Sequence, residues 1–291
     1  MITALCKRLQ FPDEATACLA EADACLSATS AATPLLSEAM HDFFEENGER
    51  YEALIRQAAE AADVPYYVAC MVFLLRAAAR LPEKYRMAGI DEAICWDTLR
   101  DLRCKLMECH DVYGVWGIFV IFWMRDYYLL RRFAFGRLQF ERIAFPHDDY
   151  RGLVKRGDTV YNFHIPSDGP LTEESVLASF RAAYAFYRNE LPDGIMPIYL
   201  HSWLIYPKTA ALYGEQSNLR RFFGLFTLLG EKADEKNGDF WRIFSTDFSP
   251  EALAAAPTDT SMQRSLKQYL QAGGCMGSGM GILLFDGEKI V

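Results

Sequence analysis

The sequence has no C-x-x-C pair among its eight cysteines, no excess of basic charge and no hydrophobic run of membrane-spanning length. The first absence argues against a zinc ribbon or a dithiol redox centre. Cys109-His110 offers two adjacent donors with no further pair at ligand spacing, so no metal is expected and the thiols read as reduced structural side chains. The second, a formal net charge of −9, argues against nucleic acid as a main partner, because phosphate neutralisation takes Lys and Arg. The third bears on membranes. The most apolar run, Val115 to Met124, is too short to span a bilayer and stops at Arg125-Asp126, which suits a buried helix. The opening residues Met1 to Arg8 lack a basic start followed by an apolar core, so a cytoplasmic chain without a membrane partner is expected. The glycine run from Gly273 to Gly281 lacks the spacing and the basic residue of a phosphate loop. Close backbone approach or a bulge is expected there instead.

What is present is a globular composition, 51% hydrophobic and 24% charged, in a chain of 291 residues that suggests two domains. Residues 1–128 read as helical throughout. Phe11-Pro12-Asp13-Glu14 and Thr33-Pro34 are helix starts, and Tyr51, Leu54, Ile55, Ala58, Ala61 and Ala62 form one apolar stripe. Val64-Pro65 opens a helix through Tyr85, Gly89-Ile90-Asp91 caps one through His110, and Trp116 to Leu129 is aromatic and helical.

Residues 129–291 read as a mixed α/β domain, which makes the fold class α+β. Phe133 to Phe145 alternates with period two and reads as a strand, its polar row of Arg137, Gln139 and Glu141 facing away from Leu138 and Phe140. Thr159 to Ile165 is a second strand, stopped by Pro166; Gly169 allows a tight loop, and Thr172 caps a helix to Leu191 with Glu173 and Glu174 in its first turn. Ile195 to Tyr206 is the next strand, in which His201 shares a face with Tyr199 and Trp203. Ser217-Asn218 caps a helix expected to run through Leu229; Phe240 to Phe244 reads as a short strand, Ser261 to Leu270 as a helix and Ile282 to Phe285 as a final strand.

That order of elements is similar to the later half of the GNAT superfamily, the acyl-CoA-dependent N-acyltransferases. The words Phe135 to Glu141, His164 to Leu171, His201-Ser202-Trp203-Leu204 and Ser217 to Phe222 are closer to a bacterial group. That group joins an N-acyltransferase-type helical N-terminal domain to a GNAT-like C-terminal domain, and the likeness spans nearly the whole chain. The resemblance implies that the strands ending at Ile165 and Tyr206 splay apart to admit acetyl-CoA or another acyl-CoA. Ser167, Asp168, Gly169, Leu171 and Thr172 would face its pyrophosphate, with Asn218 bordering the thiol end. Glu141, His164 and His201 are the candidate bases for deprotonating the amine of a small-molecule or peptide acceptor, which then attacks the thioester directly. Arg137, Gln139, Trp203 and Tyr213 are candidates for acceptor binding.

Two departures from the GNAT pattern support an alternative, a catalytically inactive GNAT-like ligand-binding or regulatory module. The phosphate loop has one glycine, two prolines and Asp168, whose charge opposes an anion. Leu225 and Phe226 stand where a tyrosine acid is usual, with Tyr213 a weak substitute. A different enzyme, using His164 with Asp168 as an acid–base pair, is the third possibility.

Overall fold

The computed structural model describes residues 2–291, in two compact units that divide at Phe133–Ala134. The first unit is helical: α1 (Ile2–Arg8), α2 (Asp13–Ala28), α3 (Ala32–Phe44), α4 (Tyr51–Ala61), α5 (Tyr66–Ala78), α6 (Leu81–Met87), α7 (Glu92–Leu99), α8 (Asp101–Tyr113) and α9 (Ile121–Tyr128). The core helix is α5, buried nearly all round because Val68 to Leu75 carries no polar face. In α4 the stripe of Tyr51, Leu54, Ile55 and Ala58 is buried as its spacing requires, while Ala61 and Ala62 lie at the frayed end. The α4 N-terminus is capped from a distance. The buried Asp42 carboxylate accepts from Arg50 N at 2.7 Å and Tyr51 N at 2.9 Å. Two long expected helices are each broken in two, at Ala79–Arg80 and at Arg100. Among the described residues no single helix is long and apolar enough to cross a membrane, and all eight cysteines are free thiols. Burial pushes the Cys6 and Cys109 thiols up to about 11, which keeps them protonated and inert near neutrality.

The second unit carries a six-stranded sheet of order β1-β2-β5-β6-β8-β7. Its strands are β1 (Arg132–Phe135), β2 (Leu138–Ala144), β5 (Thr159–His164), β6 (Met196–Ser202), β7 (Thr227–Asp234) and β8 (Met276–Phe285), with β3 (Asp149–Tyr150) and β4 (Val154–Lys155) forming a separate hairpin. The helices are α10 (Glu173–Tyr187), α11 (Pro207–Ala210), α12 (Asn218–Phe223), α13 (Trp241–Phe244), α14 (Pro250–Ala255) and α15 (Ser261–Gln271). β5 and β6 are parallel, so the chain must cross over between them, and α10 is that crossover. Its buried side, Val176, Phe180, Ala183 and Tyr187, covers one sheet face, with the Phe180 ring 5.8 Å from Phe163 and 5.8 Å from Phe285.

Several local expectations are corrected. Phe133 to Phe145 is a hairpin rather than one strand, because Gly136 takes a left-handed φ of 62° and turns the chain. The helix at Asn218 ends at Phe223, and Thr227 onward is strand β7; Gly230 sits at a bulge there instead of closing a helix. Trp241 to Phe244 is a helical turn, not a strand. β6 ends at Ser202, and Trp203 opens a 3-10 turn, Trp203–Ile205, rather than sharing the strand face of Tyr199.

The later part of the glycine run, Gly277 to Gly281, lies within β8, where backbone comes close as expected. A Cβ on Gly279 would stand 2.0 Å from the Ile205 carbonyl oxygen, whereas one on Gly214 would meet nothing within 4 Å. Gly279→Ala is therefore expected to cost about 3 kcal/mol, the upper part of the overpacking range. Gly214→Ala should leave the urea midpoint nearly unchanged, and equal midpoints for the two variants would contradict this packing.

Candidate functional site

The site is built by register. The antiparallel ladder sets Gln139 opposite His164 and Glu141 opposite Asn162, so these four side chains share one face of β2 and β5. Leu138, Phe140, Tyr161 and Phe163 take the other face, where the aromatic side of α10 lies. The parallel ladder adds Tyr199 beside Asn162 on the same face as Glu141.

Glu141 and His164 meet. His164 Nε2 lies 2.6 Å from Glu141 Oε1, and Asn162 Nδ2 donates to the same oxygen at 2.9 Å. Both members of the pair are largely shielded, with side chains 18% and 15% exposed, so the charge interaction is less screened than at a surface. A neutral imidazole whose Nε2–H points at a carboxylate carries its lone pair on Nδ1. The carboxylate thus fixes the tautomer and makes Nδ1 the proton-accepting nitrogen. The residue opposite His164 across the ladder is Gln139, and the side chain it meets is that of Glu141; Asp168 lies exposed on the following loop.

The ladder between β5 and β6 is short. It contains Tyr161 opposite Ile198 and Asn162 opposite Tyr199, and beyond them Phe163–His164 and Leu200–Ser202 have no pairing recorded with each other. Each strand is instead held on its outer side, β5 by β2 and β6 by β8 along its whole length. Backbone pairing between the two strands therefore stops at Asn162 and Tyr199, just short of His164.

The loop after β5 is organised by Arg137. Its guanidinium donates to the carbonyls of Pro166 and Gly169, each at 2.7 Å, and of Pro170 at 3.4 Å. Gly169 has a φ of 81°. Thr172 Oγ1 accepts from Ser175 N and caps α10, Ser167 and Asp168 are exposed, and Leu171 is buried. Asn218 is the first residue of α12, whose cap is Ser217. Leu171 and Asn218 both line a concavity of about 290 Å³ between the start of α10 and α12, together with Glu173, Val176, Arg220, Arg221, Phe222, Gly224 and Leu225.

Of the other candidates only Gln139 adjoins the Glu141–His164 pair. His201 is exposed, with Nε2 2.8 Å from Ser278 Oγ on β8. Gln139 is buried opposite His164. Tyr213 is buried, its hydroxyl donating to Leu204 O at 3.0 Å, and Trp203 packs partly buried against the cluster of Phe240, Phe244 and Leu266.

Four residues escaped the sequence reading. Asn162 could have been found from its two-residue spacing to His164. Arg220 and Arg221 stood inside a quoted word without a role. His147 carried no signal: it comes from the loop after β2, and its Nε2 lies 3.3 Å from the Tyr199 hydroxyl.

With this geometry in place, comparison with known families is informative. Residues 132–283 match the GNAT-like C-terminal domain and residues 1–129 the N-acyltransferase N-terminal domain. The chain belongs to this GNAT-like family. Among solved structures, an acyltransferase in complex with decanoyl-CoA and teicoplanin is similar at 19% identity and a TM-score of 0.75, over 97% of this chain and 86% of that one. An acyltransferase in complex with decanoyl-CoA is similar at 22% identity and a TM-score of 0.71, again over 97% and 86%. These likenesses establish the shared fold. No curated protein matches the chain.

His147 supplies a pH test. Burial, then the charge of Arg156, hold its imidazole below the usual 6.5. The unfolded chain therefore takes up this proton first as pH falls. The contribution of His147 to stability is full above 6.5 and is lost as pH drops below that value toward the folded-state value. His147→Gln should lose less stability than wild type between pH 8 and pH 5 in urea titrations; identical losses would show that His147 is not held neutral.

Proposed function

We propose that the chain is an acyl-CoA-dependent N-acyltransferase that moves an acyl group to the amine of a small-molecule or peptide acceptor. The observation that carries this reading is the shielded Glu141–His164 pair just beyond the last rung shared by β5 and β6. The match to an N-acyltransferase N-terminal domain and a GNAT-like C-terminal domain supports it, as does the similar acyltransferase in complex with decanoyl-CoA and teicoplanin. The buried thiols and the absence of a long apolar helix among the described residues suit a cytoplasmic site of action.

The residues present fit an extended thioester donor. Strand edges beyond Asn162 and Tyr199 offer backbone groups to a chain that carries amides of its own, much as a sheet edge receives an added strand. When bound there, the donor supplies an activated acyl carbon. An ammonium has no lone pair with which to attack that carbon. Glu141 holds His164 so that Nδ1 can take the proton from the acceptor nitrogen. The C–N bond would then form as the C–S bond breaks; the nitrogen's second proton would pass to the departing thiolate to give the free thiol, and the first, held on His164, would be released to water. Arg137 acts at a distance from this chemistry by holding the loop 166–170 through its carbonyls.

The alternative, a binding module without transfer activity, rests on Phe226. It stacks 6.0 Å from Phe163 and offers no hydroxyl to a leaving group. Because α12 ends at Phe223, however, Phe226 does not lie on the helix where a tyrosine acid would be sought.

Release of free thiol from decanoyl-CoA, followed against a panel of primary amines, separates the two. Glu141→Gln and His164→Ala should each lower kcat/KM by at least about 100-fold, the ordinary size of a general-base effect, with the melting temperature moved by only a few degrees. Transfer that survives both substitutions would remove the pair from the chemistry. Binding of decanoyl-CoA without turnover by wild type, over the whole panel, would favour the module.

A further inference from the structure

Resting on the acyl-donor reading, we propose that the phosphates of that donor's nucleotide end are anchored on α12 by Arg221, with Arg220 beside it, and not by the loop between β5 and α10. Three observations place the anchor there. First, the loop is poorly suited to an anion. Pro166 and Pro170 have no N–H to offer a phosphate, and the exposed Asp168 stands between them. Second, the concavity of about 290 Å³ lies beyond the loop, against α12, with Leu171, Val176 and Phe222 as apolar walls. An apolar wall bearing an aromatic ring beside a cationic rim is the combination that receives a base and its phosphate.

Third, the two arginines of that rim differ in what occupies them. Arg220 donates to the Ala210 carbonyl at 3.3 Å. Arg221 is exposed on the rim and, among the described residues, has no hydrogen-bond or ion-pair partner. In a chain of net charge −9 this guanidinium is a local exception, and Glu173 on the same rim is the one carboxylate that opposes it. A bidentate guanidinium–phosphate pair with a phosphate ester is the contact for which Arg221 is placed.

The test is a calorimetric titration of the full chain with CoA, 3′-dephospho-CoA and pantetheine, for wild type, Arg221→Ala and Arg221→Lys. The expected result is a loss of about tenfold in CoA affinity for Arg221→Ala, partial recovery for Arg221→Lys, and unchanged pantetheine affinity. An equally large loss with 3′-dephospho-CoA assigns the contact to the diphosphate; a loss confined to CoA assigns it to the 3′-phosphate. Wild-type affinity for CoA in Arg221→Ala, and in a double variant that adds Arg220→Ala, would overturn the anchor while leaving the acyl-donor reading standing. Failure of wild type to bind CoA at all would overturn that reading first, and the anchor with it.

Discussion

The second unit depends on a ladder that is too short. β5 and β6 run parallel and share two rungs, at Tyr161–Ile198 and Asn162–Tyr199, although both strands continue. Each is committed elsewhere: β5 to six antiparallel pairs with β2, and β6 to seven with β8. Backbone N–H and C=O groups are obligatory hydrogen-bonding groups. Where two strands part inside a sheet, the polar edges facing the gap call for a partner, and an extended amide-bearing ligand can supply one.

The chemistry is placed by the same register. Because side chains alternate, fixing Gln139 opposite His164 brings Glu141, Asn162 and His164 to one face and the aromatic residues to the other. A one-residue slip would exchange the two sets and put the pair beneath α10. The β8 glycines guard this arrangement from the far side. Gly277 lets the Lys232 carbonyl of β7, and Gly279 the Ile205 carbonyl of the turn after β6, come close to β8.

Much of this was legible from pattern. The period-two alternation around Tyr161 to Ile165, the Pro166 stop and the Thr172 cap all describe real structure, because each is a local steric or hydrogen-bonding rule. The polar row holding Glu141 was visible for the same reason. Errors fell where local signals were ambiguous or overridden. Thr227 to Leu229 is apolar enough for either helix or strand, and pairing with β8 decided for strand. Phe240 to Phe244 contains aromatics that suit a strand, yet they are consumed in packing Phe240 against Phe244 at 4.3 Å within one helical turn. A single glycine, Gly136, turned one expected strand into two. Long-range partners were beyond reach. Nothing in the sequence says that Arg137 reaches the loop at Pro166, that His147 meets Tyr199, or that His201 is held by Ser278.

The central claim is that the parting of β5 and β6 receives the acyl donor, and amide hydrogen exchange with and without saturating CoA tests it most directly. The expected result is slowed exchange at Phe163, His164 and Leu200–Ser202, beyond the last shared rung, with little change at the outer edge of β7. Bound CoA that leaves those amides exchanging at their free rates, and protects another part of the chain, would contradict it.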